Sequence, residues 1–135
     1  MTYVPATLRR QVIARAGDRC EYCRHPQIAA LFPFEMEHVI SEKHGGVTNL
    51  DNLALACPYC NRAKGSDLGS IDPISGDLVP FFNPRKQIWF EHFALEGANL
   101  VPLTAEARVT LSILELNHPS RLSERIALIA AGQYP

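Results

Sequence analysis

The chain has 135 residues, 47% of them hydrophobic, and a formal net charge of −1. That length supports one real core and excludes two independent ones, and no apolar run approaches the roughly 18 residues needed to span a bilayer. Charge is uneven: residues 1–65 carry a formal +2 and residues 66–135 a formal −3, so any surface for an acidic polymer is expected on the first half.

In chain order, Pro5-Ala6-Thr7-Leu8 opens a helical pattern, with Thr7 as the expected N-cap and Gly17 as the stop. Leu8, Val12 and Ala16 fall on one face of this helix, and Arg9, Arg10 and Arg15 on another. Cys20-Glu-Tyr-Cys23 follows, and residues 25–33 are irregular. Residues 34–40, FEMEHVI, suit a short strand, and residues 53–56 a second one. Between them, Gly45-Gly46, Asn49, Asp51 and Asn52 mark an ordered loop. Pro58 belongs in the first turn of a helix that carries Cys60, Asn61 and Lys64. Strand, loop, strand, helix is a ββα unit.

Beyond residue 65, the stretch from Asp72 to Asp77 is a turn signal, and residues 87–95 and 100–103 are predicted to pair as a hairpin across Glu96-Gly97-Ala98-Asn99. Thr104 caps a predicted helix over 105–116, with Ala107, Leu111 and Leu114 on one face, and a last helix covers about 120–131. Trp89, Phe90 and Phe93 are expected in the core, and His25, His92 and His118 in structural roles. No linker divides the chain, so residues 1–135 are expected to form a single domain, with an extension over 66–135 packed on a core over 5–65.

Two Cys-x2-Cys pairs, Cys20/Cys23 and Cys57/Cys60, have the spacing of one tetrahedral tetrathiolate site. The first twenty residues carry arginines where a secretory leader would be apolar, so a cytoplasmic setting is expected. There, paired thiols favour structural Zn²⁺ over disulfides. Between the pairs lies Glu37-His38, a carboxylate able to hold a hard cation beside an imidazole able to take a proton from water. A regular strand sends these neighbours to opposite faces. Glu35 shares a face with Glu37 and is a spare carboxylate with the more ordinary reading of a solvated side chain.

Taken together, Glu37-His38-Val39-Ile40, Gly45-Gly46, Asn52-Leu53, Cys57-x2-Cys60-Asn61 and Lys64 resemble an HNH endonuclease of the ββα-metal kind, in an HNN variant. The resemblance covers about residues 5–65, including Cys20 and Cys23. It implies an α+β fold with a ββα-metal core, an N-terminal helix, a structural zinc site and a C-terminal hairpin-plus-helices extension. His38 becomes the general base, and Asn52, with Asn49 as an alternative, fixes the imidazole through a loop hydrogen bond. Glu37 and Asn61 become ligands of a catalytic Mg²⁺ or Mn²⁺. A twist or bulge at the end of the first strand is then required to bring Glu37 and His38 into one cleft.

The partner so implied is DNA, in duplex form, with Arg62, Lys64, Lys43 and His44 as phosphate contacts and no membrane role. The near-neutral charge leaves room for a homodimer or partner subunit to add affinity. Two positions depart from the family pattern: Ser41 stands where proline is frequent, and Glu37 where aspartate is more usual. The alternative is a non-catalytic zinc-knuckle module that binds nucleic acid or protein. It needs the four cysteines but not Glu37, His38, Asn52 and Asn61 together.

Overall fold

The computed structural model describes residues 2–135. Helix α1 spans Ala6–Ala16, and its apolar stripe buries Val12 and Ala16 while Leu8 packs at the margin. Its first turn begins after Pro5, not at Thr7, and makes no side-chain cap. Gly17 closes it at φ 64°, the left-handed geometry that lets Gly17 and Asp18 donate back to Ala14 and Ile13.

Strands β1 (Glu35–His38) and β2 (Leu53–Ala56) pair antiparallel, Glu35 opposite Ala56 and His38 opposite Leu53. This ladder is unbroken, so the expected bulge at the end of β1 is absent. The long connection between them contains a 3-10 turn at Glu42–His44. Helix α2 (Pro58–Lys64) starts with proline in its first turn, where the missing N–H costs nothing, and the Cys57 sulfur accepts from the Cys60 N–H.

The remainder contains two hairpins, β3 (Gly69–Ile71) with β4 (Leu78–Pro80) and β5 (Phe93–Glu96) with β6 (Asn99–Pro102). The first forms around the Asp72–Asp77 turn, where Arg108 donates twice to the Asp72 carboxylate and holds its pKa well below the usual range. Residues 89–92 form a helical turn, α3, in place of the first half of the expected strand. The reason is packing: the turn stacks Trp89 on Phe93 with ring centroids 5.0 Å apart. A strand would separate residues four apart by about 13 Å. Phe90, expected in the core, is 56% exposed.

Helix α4 (Ala105–Ile113) carries the foreseen Thr104 cap, whose hydroxyl accepts from Ala107. It stops three residues early because Glu115 turns left-handed, at φ 51°, which tucks Leu114 and Leu116 into the core. Helix α5 (Pro119–Ala130) is capped by His118.

Residues 66–135 reach into the first half at several backbone groups. Trp89 Nε1 donates to Tyr22 O (2.9 Å), Arg85 Nη1 to Leu53 O (3.0 Å) and Tyr134 OH to Cys23 O (2.8 Å). Trp89→Ala, which empties a buried indole site and strands the Tyr22 carbonyl, is expected to lower the unfolding free energy by about 3–5 kcal/mol in urea denaturation.

Candidate functional site: a cysteine cluster and the β1–α2 seam

The four cysteines converge, all buried and none in a disulfide, with their sulfur atoms within 4.8 Å of one another. Cys23 and Cys57 are 3.8 Å apart at sulfur. A tetrahedron with Zn–S bonds of about 2.3 Å has edges of about 3.8 Å, so the spacing fits zinc. Each knuckle turns a backbone N–H onto its first sulfur, Cys23 N to Cys20 at 3.5 Å and Cys60 N to Cys57 at 3.3 Å. This is a closed, all-protein zinc site of the structural kind.

Arg121 of α5 completes it. Its Nη2 lies 3.1 Å from the Cys60 sulfur and 3.8 Å from that of Cys57, and Nη1 donates to Leu114 O. The guanidinium also stacks 4.3 Å above the Tyr59 ring. Burial works against its charge, but the surrounding thiolates outweigh that and hold it firmly protonated.

One side of β1 faces α2. Asn61 and Lys64, one turn apart on that helix, meet Glu35 and Glu37, two apart on the strand. Asn61 donates through its amide to Glu35, which is half-buried. Glu37 is 3% exposed; Tyr22 OH donates to its Oε2 at 2.7 Å, and the Lys64 ammonium stands 2.6 Å from Oε1. That last contact is an ion pair without hydrogen-bond alignment, so Oε1 has charge beside it but no aligned donor. Burial pushes the Glu37 carboxyl up, and Lys64 opposes the shift. Removing one partner of such a pair typically costs about 3–5 kcal/mol.

His38 emerges on the other face. It is 9% exposed, and Nε2 shares a 2.8 Å hydrogen bond with the Thr48 hydroxyl. Asn52 does not touch the ring. Its amide accepts from Ile40 N and donates to Ile40 O and Val47 O, each at 2.9 Å, while its own carbonyl accepts from Val39 N. Asn52 thus holds the chain immediately after His38 and the loop that carries Thr48. Gly46 is required in this packing, since a Cβ there would stand 1.7 Å from Ile40 O. Asn49, the alternative, is exposed and offers its carbonyl to Asn52 N.

Among the expected phosphate contacts, Arg62, Lys43 and His44 are exposed, whereas Lys64 is turned inward at 2% exposure. Arg15 is structural, donating to Leu50 O and Leu53 O. Three side chains at these sites were not anticipated: Thr48, Tyr22 and Arg121. Tyr22 had a positional signal, being inside the first Cys-x2-Cys pair. Thr48 lies in the polar loop four residues before Asn52 and carries no distinguishing pattern. Arg121 is 61 residues from Cys60, and no local pattern marks it.

A two-stranded ribbon with a helix across one face, framed by a tetrathiolate site, defines a zinc-braced ββα protein. The family model for HNH endonuclease matches residues 20–67, a span that holds all four cysteines together with Glu37, His38, Asn52 and Asn61. Over these residues the chain is similar to HNH endonucleases. No curated protein and no solved structure matches the chain. No helix among the described residues is long and apolar enough to cross a membrane.

Elemental analysis is expected to return one zinc per chain, and Cys60→Ser to lose it. Arg121→Met is expected to keep the stoichiometry but release zinc faster to a chromogenic chelator. Chelation should lower the melting temperature, because zinc binding and folding are linked.

Proposed function

We propose that this protein is a metal-dependent endonuclease that hydrolyses phosphodiester bonds of duplex DNA, with His38 as general base. The observation that carries this reading is the placement of a constrained imidazole next to a buried carboxylate that already holds a positive charge. His38 and Glu37 are consecutive on β1, and Lys64 lies against Glu37.

His38 takes a proton from water, and the hydroxide attacks phosphorus in line with the departing 3′ oxygen, leaving 5′-phosphate and 3′-hydroxyl ends. Thr48 fixes the direction of the ring, and Asn52 fixes the backbone on which it stands. Among the described residues no strand other than β2 pairs with β1, so its other edge carries no sheet partner. A phosphate lying along that edge would meet side chains from both faces of the strand.

The donor set at the seam is hard: the carboxylate of Glu37 and the amide oxygen of Asn61, with Glu35 beside Asn61. Oxygen donors of this kind suit Mg²⁺ or Mn²⁺ better than zinc. Glu37 and Asn61 would hold the cation, which supplies positive charge to the developing phosphorane and the leaving oxygen. Arg62, Lys43 and His44 are exposed for contact with flanking phosphates.

Plasmid cleavage with Mg²⁺, Mn²⁺ or EDTA tests this reading. His38→Ala is expected to lower the rate by about 10²–10⁴-fold with zinc content and circular dichroism unchanged. A His38→Ala protein that cuts like the parent would remove His38 from the mechanism. Absence of metal-dependent cleavage of any DNA form would favour the binding module. Thr48→Val, which deletes one hydrogen bond to the ring, is expected to reduce kcat by about two- to tenfold with KM unchanged.

A further inference from the structure

We propose that Lys64 is an exchangeable internal cation, which holds Glu37 until a divalent cation loads and then turns out to meet the substrate phosphate. This rests on Glu37 being a ligand of the catalytic cation.

Geometry supplies the first reason. The ammonium stands 2.6 Å from Glu37 Oε1, and its remaining contacts are the carbonyls of Val39 at 3.0 Å and His38 at 3.4 Å. Mg²⁺ binds carboxylate oxygen at about 2.0–2.1 Å. A divalent ion on the same oxygen would therefore lie within about 5 Å of the ammonium, inside a site that excludes water, where like charges repel strongly. Both cannot stay: either the divalent ion is kept off Glu37 or Lys64 leaves it.

The second reason is the ease of leaving. Lys64 is the last residue of α2 and precedes Gly65, which turns out of the helix at φ 53°. Its ammonium sits on a flexible four-carbon stem, and only charge attraction, without an aligned hydrogen bond, ties it to Oε1. Tyr22 remains as donor to Oε2, so the carboxylate keeps its orientation when the ammonium departs.

Charge supplies the third. The Glu37–Lys64 pair is neutral and Glu35 leaves the seam at −1, so adding a divalent ion while keeping Lys64 nearby turns the seam to a net +1. The sign of the seam thus turns positive, and attracts a phosphodiester, only when the cation is present. By reciprocity, DNA that binds the released ammonium tightens cation binding by the same factor. Lys64 thereby joins Arg62 as a phosphate contact in the loaded protein, although it is buried without the cation.

Two measurements on the zinc-loaded, full-length protein test this. In Mn²⁺ titrations followed by electron paramagnetic resonance, Lys64→Met is expected to bind about tenfold more tightly than the parent, and Glu37→Gln to lose the site. Unchanged or weaker binding by Lys64→Met overturns the proposal, as does retention of the site by Glu37→Gln.

Because Lys64→Met leaves a buried carboxylate unpaired and risks misfolding, the second measurement uses the unaltered chain. Lysine labelling by a succinimidyl ester is read by mass spectrometry, with exposed Lys43 and Lys86 as references. Saturating Mg²⁺ is expected to raise the Lys64 rate by about tenfold, since a buried amine must open to react. A rate that Mg²⁺ leaves unchanged means a fixed counter-ion and overturns the exchange. DNA cleavage with silent labelling removes the exchange alone, whereas Mg²⁺-dependent labelling without cleavage removes the nuclease reading alone.

Discussion

Four thiolates around one Zn²⁺ carry a net charge of −2, and burying that charge is the constraint around which this fold is organised. The structure meets it with backbone N–H groups from both knuckles and the guanidinium of Arg121. One knuckle precedes the ββα segment and the other opens its helix α2, so closing them ties the start of the helix to the chain ahead of β1. Arg121 comes from the C-terminal helix, which is thereby joined to the same point. The cluster and its arginine thus draw three separated stretches of the 135-residue chain to one point, which links metal binding to folding.

From that frame the β1–α2 seam inherits its order. Pro58 and the Cys57 cap set where α2 begins, which places Asn61 and Lys64 one turn apart against the strand. Tyr22, held between two cysteines and accepting from Trp89 at its carbonyl, points its hydroxyl at Glu37. The zinc site acts on the chemistry through such intermediaries, and the ribbon keeps Glu37 and His38 on separate faces, one buried against the helix and one under the loop.

Much of this was legible in the sequence because it depends on local spacing. The x2 cysteine pairs, Pro58 at the start of α2, the Thr104 cap and the Asp72–Asp77 turn are each encoded within a few residues, and all appear where expected. What was not legible depends on distance or on competition. Trp89 and Phe93 suit a strand by composition, yet stacking four residues apart favoured a helical turn. Lys64 looks like one more surface cation beside Arg62, and its burial follows from the helix phase relative to Glu37. Thr48 and Arg121 reach their partners across a loop and across half the chain, separations at which pattern carries no information. Of the twist or bulge expected at the end of β1, the bulge is absent, because the ladder to β2 runs unbroken from Glu35 to His38.

The extension over residues 66–135 adds donors to groups on the frame of the first 65 residues, two of which, Leu53 O and the Cys57 sulfur, also accept from within that half. The carbonyls of Tyr22, Cys23 and Leu53 accept from Trp89, Tyr134 and Arg85, and the sulfurs of Cys57 and Cys60 accept from Arg121. These acceptors belong to the two knuckles or to β2, the elements that hold the seam in place. None of the five contacts falls on His38, Asn52 or Asn61. The extension therefore stiffens the frame, and none of these contacts covers the loop or the exposed Arg62. Its formal charge of −3 against +2 for residues 1–65 keeps the excess of positive charge on the half that carries the seam.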